Sequence, residues 1–176
     1  MRLLIMADTH VSQRARALPD QVWRAVAAAD VVVHAGDWVA EGLLDELESR
    51  ARRLIGVYGN NDGPALRARL PEVARAELDG LRLAVVHETG PAKGREQRCA
   101  RAFPDADVLV FGHSHIPWDT TVGVRDDTSG AGERPLRLLN PGSPTDRRRQ
   151  PEGTYLTARV HRGRLCEVEF HPVSRR

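Results

Sequence analysis

Residues 2–10 read Arg2-Leu3-Leu4-Ile5-Met6-Ala7-Asp8-Thr9-His10. An apolar run stops at a carboxylate, and an imidazole follows two residues later. Short unbroken apolar runs of this kind fit strands buried on both faces. The same punctuation recurs along the chain. Val31-Val32-Val33-His34-Ala35 ends at Gly36-Asp37, and Leu54-Ile55-Gly56-Val57-Tyr58 ends at Gly59-Asn60. Residues 83–86 end at His87, and residues 107–111 end at Gly112-His113, with His115 two positions on. Each run therefore delivers a side chain with a lone pair at its carboxyl end, where open α/β sheets bind their ligands. Read as neighbours in one largely parallel sheet, the five runs bring Asp8, His10, Asp37, Asn60, His87, His113 and His115 to a single edge.

Helical stretches separate the first runs. Pro19 stands where a first helical turn tolerates proline, ahead of Val22, Trp23 and Val26 on one stripe. Residues 39–50 place Leu43, Leu44 and Leu47 at helical spacing, and residues 94–103 read as a helix that stops before Pro104. This alternation predicts an α/β domain. The last third changes to strands over 118–125, 135–139, 154–161 and 164–171, with Arg162-Gly163 as a hairpin turn. Residues 126–134 are polar and glycine-rich and read as a loop. No repeat or linker interrupts the pattern, so one domain over residues 1–176 is expected.

The chain has 176 residues, enough for one well-buried domain and short for two. Hydrophobic residues at 41 % and charged residues at 28 % exclude wholesale disorder. No stretch approaches the roughly 18–20 apolar residues that cross a bilayer. The short run before Asp8 reads as a strand and not as a secretory signal, so a cytoplasmic protein without a membrane partner is expected. Cys99 and Cys166 are far apart and lack CxxC spacing, which argues against a disulfide framework or a thiolate zinc site. A net charge of +2 demands no nucleic-acid partner. Aromatics at 5 % supply few stacking platforms for a single strand.

The donor types point to a metal. Imidazole nitrogen, carboxylate oxygen and amide oxygen together suit borderline divalent ions such as Mn, Fe, Zn or Ni, and suit Ca or Mg less well, since those prefer all-oxygen shells. Seven donors exceed the needs of one tetrahedral ion and match two ions sharing a carboxylate. Each element alone is weak: a strand-end histidine is ordinarily structural, and Gly59-Asn60-Asn61-Asp62-Gly63 alone is a turn. Joint occurrence and order carry the reading. His34, inside a buried run, reads as a core residue or as packing behind the ligands. His161 and His171 read as structural or surface residues.

Asp8-Thr9-His10, Gly36-Asp37, Gly59-Asn60-Asn61-Asp62, His87, Gly112-His113-Ser114-His115 and Asn140-Pro141-Gly142-Ser143 together resemble the motifs of the calcineurin-like metallophosphoesterase superfamily. They are most similar to its small phosphodiesterases of the YfcE/MJ0936 type, whose fold the retromer subunit Vps29 shares. The resemblance implies the metallo-dependent phosphatase fold, a four-layer α/β/β/α sandwich of two mixed β-sheets flanked by helices. It implies one divalent ion on Asp8, His10, Asp37 and His115, and a second on Asp37, Asn60, His87 and His113. Mn is the expected metal, with Ni, Fe, Zn or Mg as alternatives. It further implies that a hydroxide held between the ions attacks phosphorus, with Asp37, Asn60 and His10 closest to the reaction. The expected substrate is a small phosphodiester or phosphomonoester, and a homo-oligomer is common among such proteins. The alternative is a non-catalytic scaffold on the same fold. Three departures stand out. Asn61 occupies the place where many relatives carry a histidine acid, which leaves the leaving-group acid unassigned. Glu88 follows His87 where relatives usually have glycine, adding a carboxylate close to the ions. The 126–134 segment has the look of an insertion. Arg147-Arg148-Arg149 forms either a phosphate-steering rim or a solvated loop.

Overall fold

The computed structural model describes residues 1–125 and 133–173. Its elements run β1 (Arg2–Met6), α1 (Asp20–Ala28), β2 (Val31–Ala35), α2 (Glu41–Arg50), β3 (Leu54–Val57), α3 (Pro64–Arg69), β4 (Val73–Leu78) and β5 (Leu81–Val86). There follow α4 (Arg95–Ala102), β6 (Val108–Val110), β7 (Trp118–Arg125), β8 (Glu133–Asn140), β9 (Gly153–His161) and β10 (Arg164–Val173).

The strands form two sheets, ordered β10-β9-β1-β2-β3 and β4-β5-β6-β8-β7. In the first, β1, β2 and β3 are parallel, with Ile5 opposite Val33 and Val33 opposite Ile55. The hairpin β9-β10 joins the free side of β1 antiparallel. In the second, β5, β6 and β8 are parallel, and β4 and β7 close the edges antiparallel.

Side-chain alternation then sets the layers. Leu3, Ile5, Val31, Val33 and Val57 of the first sheet share one core with Leu83, Val85, Val108, Val110 and Leu139 of the second. The intervening Leu4, Met6 and Val32 face the other way, onto Val22 and Val26 of α1 and Leu43, Leu44 and Leu47 of α2. On the far side, Ala84, Leu109, Leu136 and Leu138 pack with Cys99 and Ala100 of α4. The result is a four-layer α/β/β/α sandwich of two mixed sheets. Every residue of β2 is buried because both faces of its sheet are covered.

The single parallel sheet read from the five apolar runs is incorrect. β1, β2 and β3 lie in one sheet, and β5 and β6 in the other. An apolar run reports burial of both faces, and two stacked sheets produce the same pattern as one sheet between helices. The two-sheet arrangement implied by the resemblance is the one present. Two elements escape the sequence reading. α3 is six residues long, with proline in its first turn. β4 is an edge strand, and Val73, Arg75 and Glu77 on its outer side are exposed. β10 runs on to Val173 through Pro172, which an edge strand admits. Arg162 and Gly163 both have positive φ, as a tight hairpin turn requires. Of the loop expected at 126–134, residues 126–132 lie outside the described residues, and Glu133 and Arg134 belong to β8.

Candidate metal centre

Five of the seven candidate donors have a left-handed backbone: Asp8 (φ 54°), His10 (43°), Asp37 (61°), His113 (68°) and His115 (58°). This region costs an L-residue about 1–3 kcal/mol, and it persists where surrounding contacts overdetermine it. Here it turns the chain sharply at the end of a strand. Residues two apart, Asp8 with His10 and His113 with His115, thereby approach one centre.

Side-chain clamps impose these turns. Asp62 accepts from the backbone N–H groups of Asp37 (3.1 Å), Val39 (2.7 Å) and Gly59 (2.7 Å), tying the loop after β2 to the loop after β3. Val39, a β-branched residue, is held at φ 76° by this bond. Gly36 adopts φ 88°, and a Cβ there would meet His87 Nδ1 at 2.6 Å. Asn140 donates to Gly112 O (2.8 Å) and Ser114 Oγ (3.1 Å) and accepts from Gly142 N (2.9 Å). Ser143 Oγ donates to Asp8 O (2.7 Å), and Thr145 Oγ1 donates to Thr9 O. The Asn140–Ser143 turn thus clamps both the Asp8–His10 and the His113–His115 loops.

All seven donors converge. His10 Nε2 lies 3.3 Å from His115 Nε2 and 3.5 Å from Asp37 Oδ2. His115 Nε2 lies 3.4 Å from Asp8 Oδ1. On the other side of Asp37, His87 Nε2 lies 3.4 Å from Asp37 Oδ1 and 2.9 Å from Asn60 Oδ1. His113 Nδ1 lies 3.0 Å from the same Asn60 oxygen. Three groups here could hold an ion: Asp8, His10 and His115; Asp8, Asp37 and His87; and His87, Glu88 and His113.

The proton positions make these donors lone pairs. His115 Nδ1 donates to the carbonyl of Asp146, and His87 Nδ1 donates to Ala35 O (2.7 Å). A carbonyl can only accept, so each neutral ring turns the lone pair of Nε2 into the site. Asp8 Oδ2 is buried with no hydrogen-bond partner among the described residues. Acceptors that face acceptors, and an orphaned carboxylate oxygen in a dry position, are what a cation relieves. Titration agrees. Burial, reinforced by the charge of Asp37, pushes the Asp8 carboxyl up to about 8. Burial pulls His115 down to about 4 and lowers His10. Burial also raises Asp37, but hydrogen bonds from His87 and Asn61 outweigh it and hold that carboxyl well below the usual range.

Several neighbours were given other roles, or none, by the sequence. Asn61 occupies the place where many relatives carry a histidine acid. Its backbone N–H and its Nδ2 donate to Asp37 Oδ1 (2.9 Å) and Oδ2 (2.6 Å), which orients that carboxylate. Asp62 holds the loops after β2 and β3 together. Its signal was an aspartate three residues after a strand-end glycine, the spacing at which the side chain reaches back to Gly59 N. His34 is fully buried, stacked on Trp38 at 3.6 Å, and 3.0 Å from Thr9 Oγ1, so it packs behind the donors. His171 stacks on Tyr155 and bonds Thr157 Oγ1 (2.7 Å), in the hairpin away from the site. Within the arginine triplet, Arg147 bonds its own loop at Gln150 O, whereas Arg148 reaches His113 O at 3.4 Å, and its charge acts on Asp8, His10 and His115. A cavity of about 200 Å³ lined by Tyr58, Asn60, Arg67, Glu72, His87 and Glu88 opens beside the second group. Another cavity, about 530 Å³, is lined by residues such as Leu18, Arg24 and Val173 and touches none of the seven donors.

Comparison with known proteins agrees with this architecture. The chain is 32 % identical over 148 residues to "Probable metallophosphoesterase MJ0623" of Methanocaldococcus jannaschii, covering 82 % of this chain and 69 % of that protein. It is 25 % identical over 134 residues to "Phosphodiesterase MJ0936" of the same organism, covering 65 % of this chain and 74 % of that one. The fold superposes on Vps29 of Entamoeba histolytica, solved in complex with Zn, with a TM-score of 0.74 at 21 % identity over 98 % of each chain. Residues 1–163 match the model of the calcineurin-like phosphoesterase superfamily domain. With its strand-end donors, its two stacked sheets and this match over nearly its whole length, the chain belongs to the calcineurin-like phosphoesterase superfamily.

Proposed function

We propose that this chain is a phosphodiesterase that works with two divalent cations and acts on small diesters, with phosphomonoesters as a secondary substrate. The carrying observation is the buried Asp8 Oδ2, partnerless among the described residues, beside His87 and His115, whose Nδ1 atoms are committed to backbone carbonyls so that Nε2 faces the site. Asp8, His10, Asp37 and His115 would hold one ion, and Asp37, Asn60, His87 and His113 the other, with Asp37 common to both. When bound, such a pair of ions supplies Lewis acidity and a nucleophilic water near neutral pH.

The chain's own residues do the rest. Asn60 turns Oδ1 toward His87 and His113, which leaves its Nδ2 free to donate to a phosphate oxygen. Asn61 fixes both oxygens of Asp37, so the shared carboxylate keeps one orientation. Arg148, exposed beside His113, adds positive charge where an anionic substrate arrives. No leaving-group acid stands at position 61, which favours diesters with good leaving groups. No helix among the described residues is long and apolar enough to cross a membrane.

Hydrolysis of bis-p-nitrophenyl phosphate and p-nitrophenyl phosphate by chelator-treated protein, with Mn, Ni, Zn or Mg restored in turn, tests this reading. Metal-dependent cleavage of the diester is expected. A folded protein inert with every metal would instead favour the second reading, a non-catalytic scaffold, for which the likeness to Vps29 is the specific support.

A further inference from the structure

Glu88 places its carboxylate on the solvent side of the second donor group. Its Oε1 lies 3.4 Å from His113 Nδ1. That nitrogen lies 3.0 Å from Asn60 Oδ1, which in turn lies 2.9 Å from His87 Nε2. One donor atom from each of His87, Glu88 and His113 falls within 4.8 Å of the others. Donors around one ion at about 2.0–2.3 Å are separated by no more than about that span.

The backbone that carries Glu88 is anchored, although the side chain is half-exposed. His87 O accepts from Gly112 N at 3.0 Å, fixing the residue before it. Arg98 of α4 donates to Thr89 O through Nε (2.9 Å) and Nη2 (2.6 Å), to Lys93 O (3.3 Å) and to Pro91 O, fixing the residues after it. The carboxylate therefore swings from a fixed point one residue beyond His87.

We propose that Glu88 is a fifth donor to the cation of the second, solvent-facing group, and that it biases this position toward Mn over Zn. This rests on the two-ion reading above. Two divalent ions bring four positive charges. Asp8 and Asp37 offset two of them, and Glu88 offsets a third. With Glu88, the second ion is surrounded by oxygens from Asp37, Asn60 and Glu88 and nitrogens from His87 and His113. Zn prefers four ligands rich in nitrogen or sulfur, whereas carboxylate- and carbonyl-rich shells suit Mn.

The test is titration calorimetry of Mn and of Zn into chelator-treated wild type, Glu88→Gln and Glu88→Asp, with Mn electron paramagnetic resonance counting free ion. Wild type should take up two Mn ions. In Glu88→Gln the tighter site should be unchanged, and the weaker site should lose Mn affinity on the order of tenfold or more. Losing even a hydrogen-bonding partner of a ligand costs about 10- to 100-fold. Zn affinity should fall less, and Glu88→Asp should be intermediate. Two Mn ions bound by Glu88→Gln with wild-type affinities would overturn the role of Glu88 and leave the two-ion reading standing. An equal loss at both sites would overturn its assignment to one ion. Fewer than two ions on wild type would remove the two-ion reading, and this inference with it. Matching melting temperatures for the three proteins separate a lost donor from a lost fold.

Discussion

Asp8, His10 and His115 are at most 5 % exposed, whereas Asn60, Glu88 and His113, on the other side of Asp37, stand open to solvent. The buried half is built by long-range clamps: Ser143 and Thr145 bind the carbonyls of Asp8 and Thr9, and Asp146 orients His115. In the open half His113 N–H donates to Asp8 Oδ1 and His87 Nδ1 to Ala35 O, and a cavity of about 200 Å³ lies beside it. Metal sites with a structural role are closed, and catalytic ones keep a face open. The difference therefore divides labour. On the proposed function, the buried half would fix geometry, and the open half would receive the ester and release the product. Asp37 belongs to both.

The largest effect should come from removing that shared element. Asp37→Ala should depress diester hydrolysis by more than about 100-fold, since losing only an outer partner of a ligand costs about 10- to 100-fold. Initial rates at saturating Mn decide it. Retention of more than a tenth of the activity would mean that Asp37 does not join the two halves.

Asp62 links the halves through the backbone. Asp62→Ala strands three N–H groups, and hydrogen bonds to a charged group are worth about 1.5–3 kcal/mol each to make or lose. The variant should melt several degrees lower, at roughly 2–4 °C per kcal/mol for a chain of this size, and metal affinity should fall at both sites together. An unchanged melting curve would show that the two loops hold their shape unaided.

The smallest effect probes the packing behind the buried half. Burial, aided by the charge of His87, lowers His34 to about 3, from an ordinary 6.5. The fold therefore holds a neutral ring while the unfolded chain binds a proton. His34 contributes stability above about pH 6.5 that drains away as pH falls toward 3. The stability gap between wild type and His34→Gln should narrow steadily over that window in urea unfolding of metal-free protein. A gap independent of pH would mean that His34 stays protonated or solvated in the fold.

Much of the open half and of the buried half was legible because their donors fall at strand ends. A carboxylate or imidazole directly after an apolar run is visible in one dimension. Which strand lies beside which is not visible: Leu83–Val86 reads as a fully buried strand whether it flanks β3 or lies in the sheet stacked against it. β4 was lost because its exposed Arg75 and Glu77 erase the apolar run, and α3 because one and a half turns carry no period. The roles of Asp62 and Asn61 depend on a loop 25 residues away folding back on them, which no local spacing announces. Asn61 in particular was read against a position that relatives use for proton transfer, yet its amide is spent on Asp37.

The left-handed turns at residues 8, 10, 37, 113 and 115 have a consequence for selection. Each is a place where glycine or asparagine would relieve backbone strain, so a library screened only for thermal stability should enrich those residues there. Every glycine gained there would delete a donor, and every asparagine would replace a carboxylate or imidazole with a weaker, uncharged amide oxygen. Screens for heat resistance and screens for turnover should therefore drive these five positions in opposite directions.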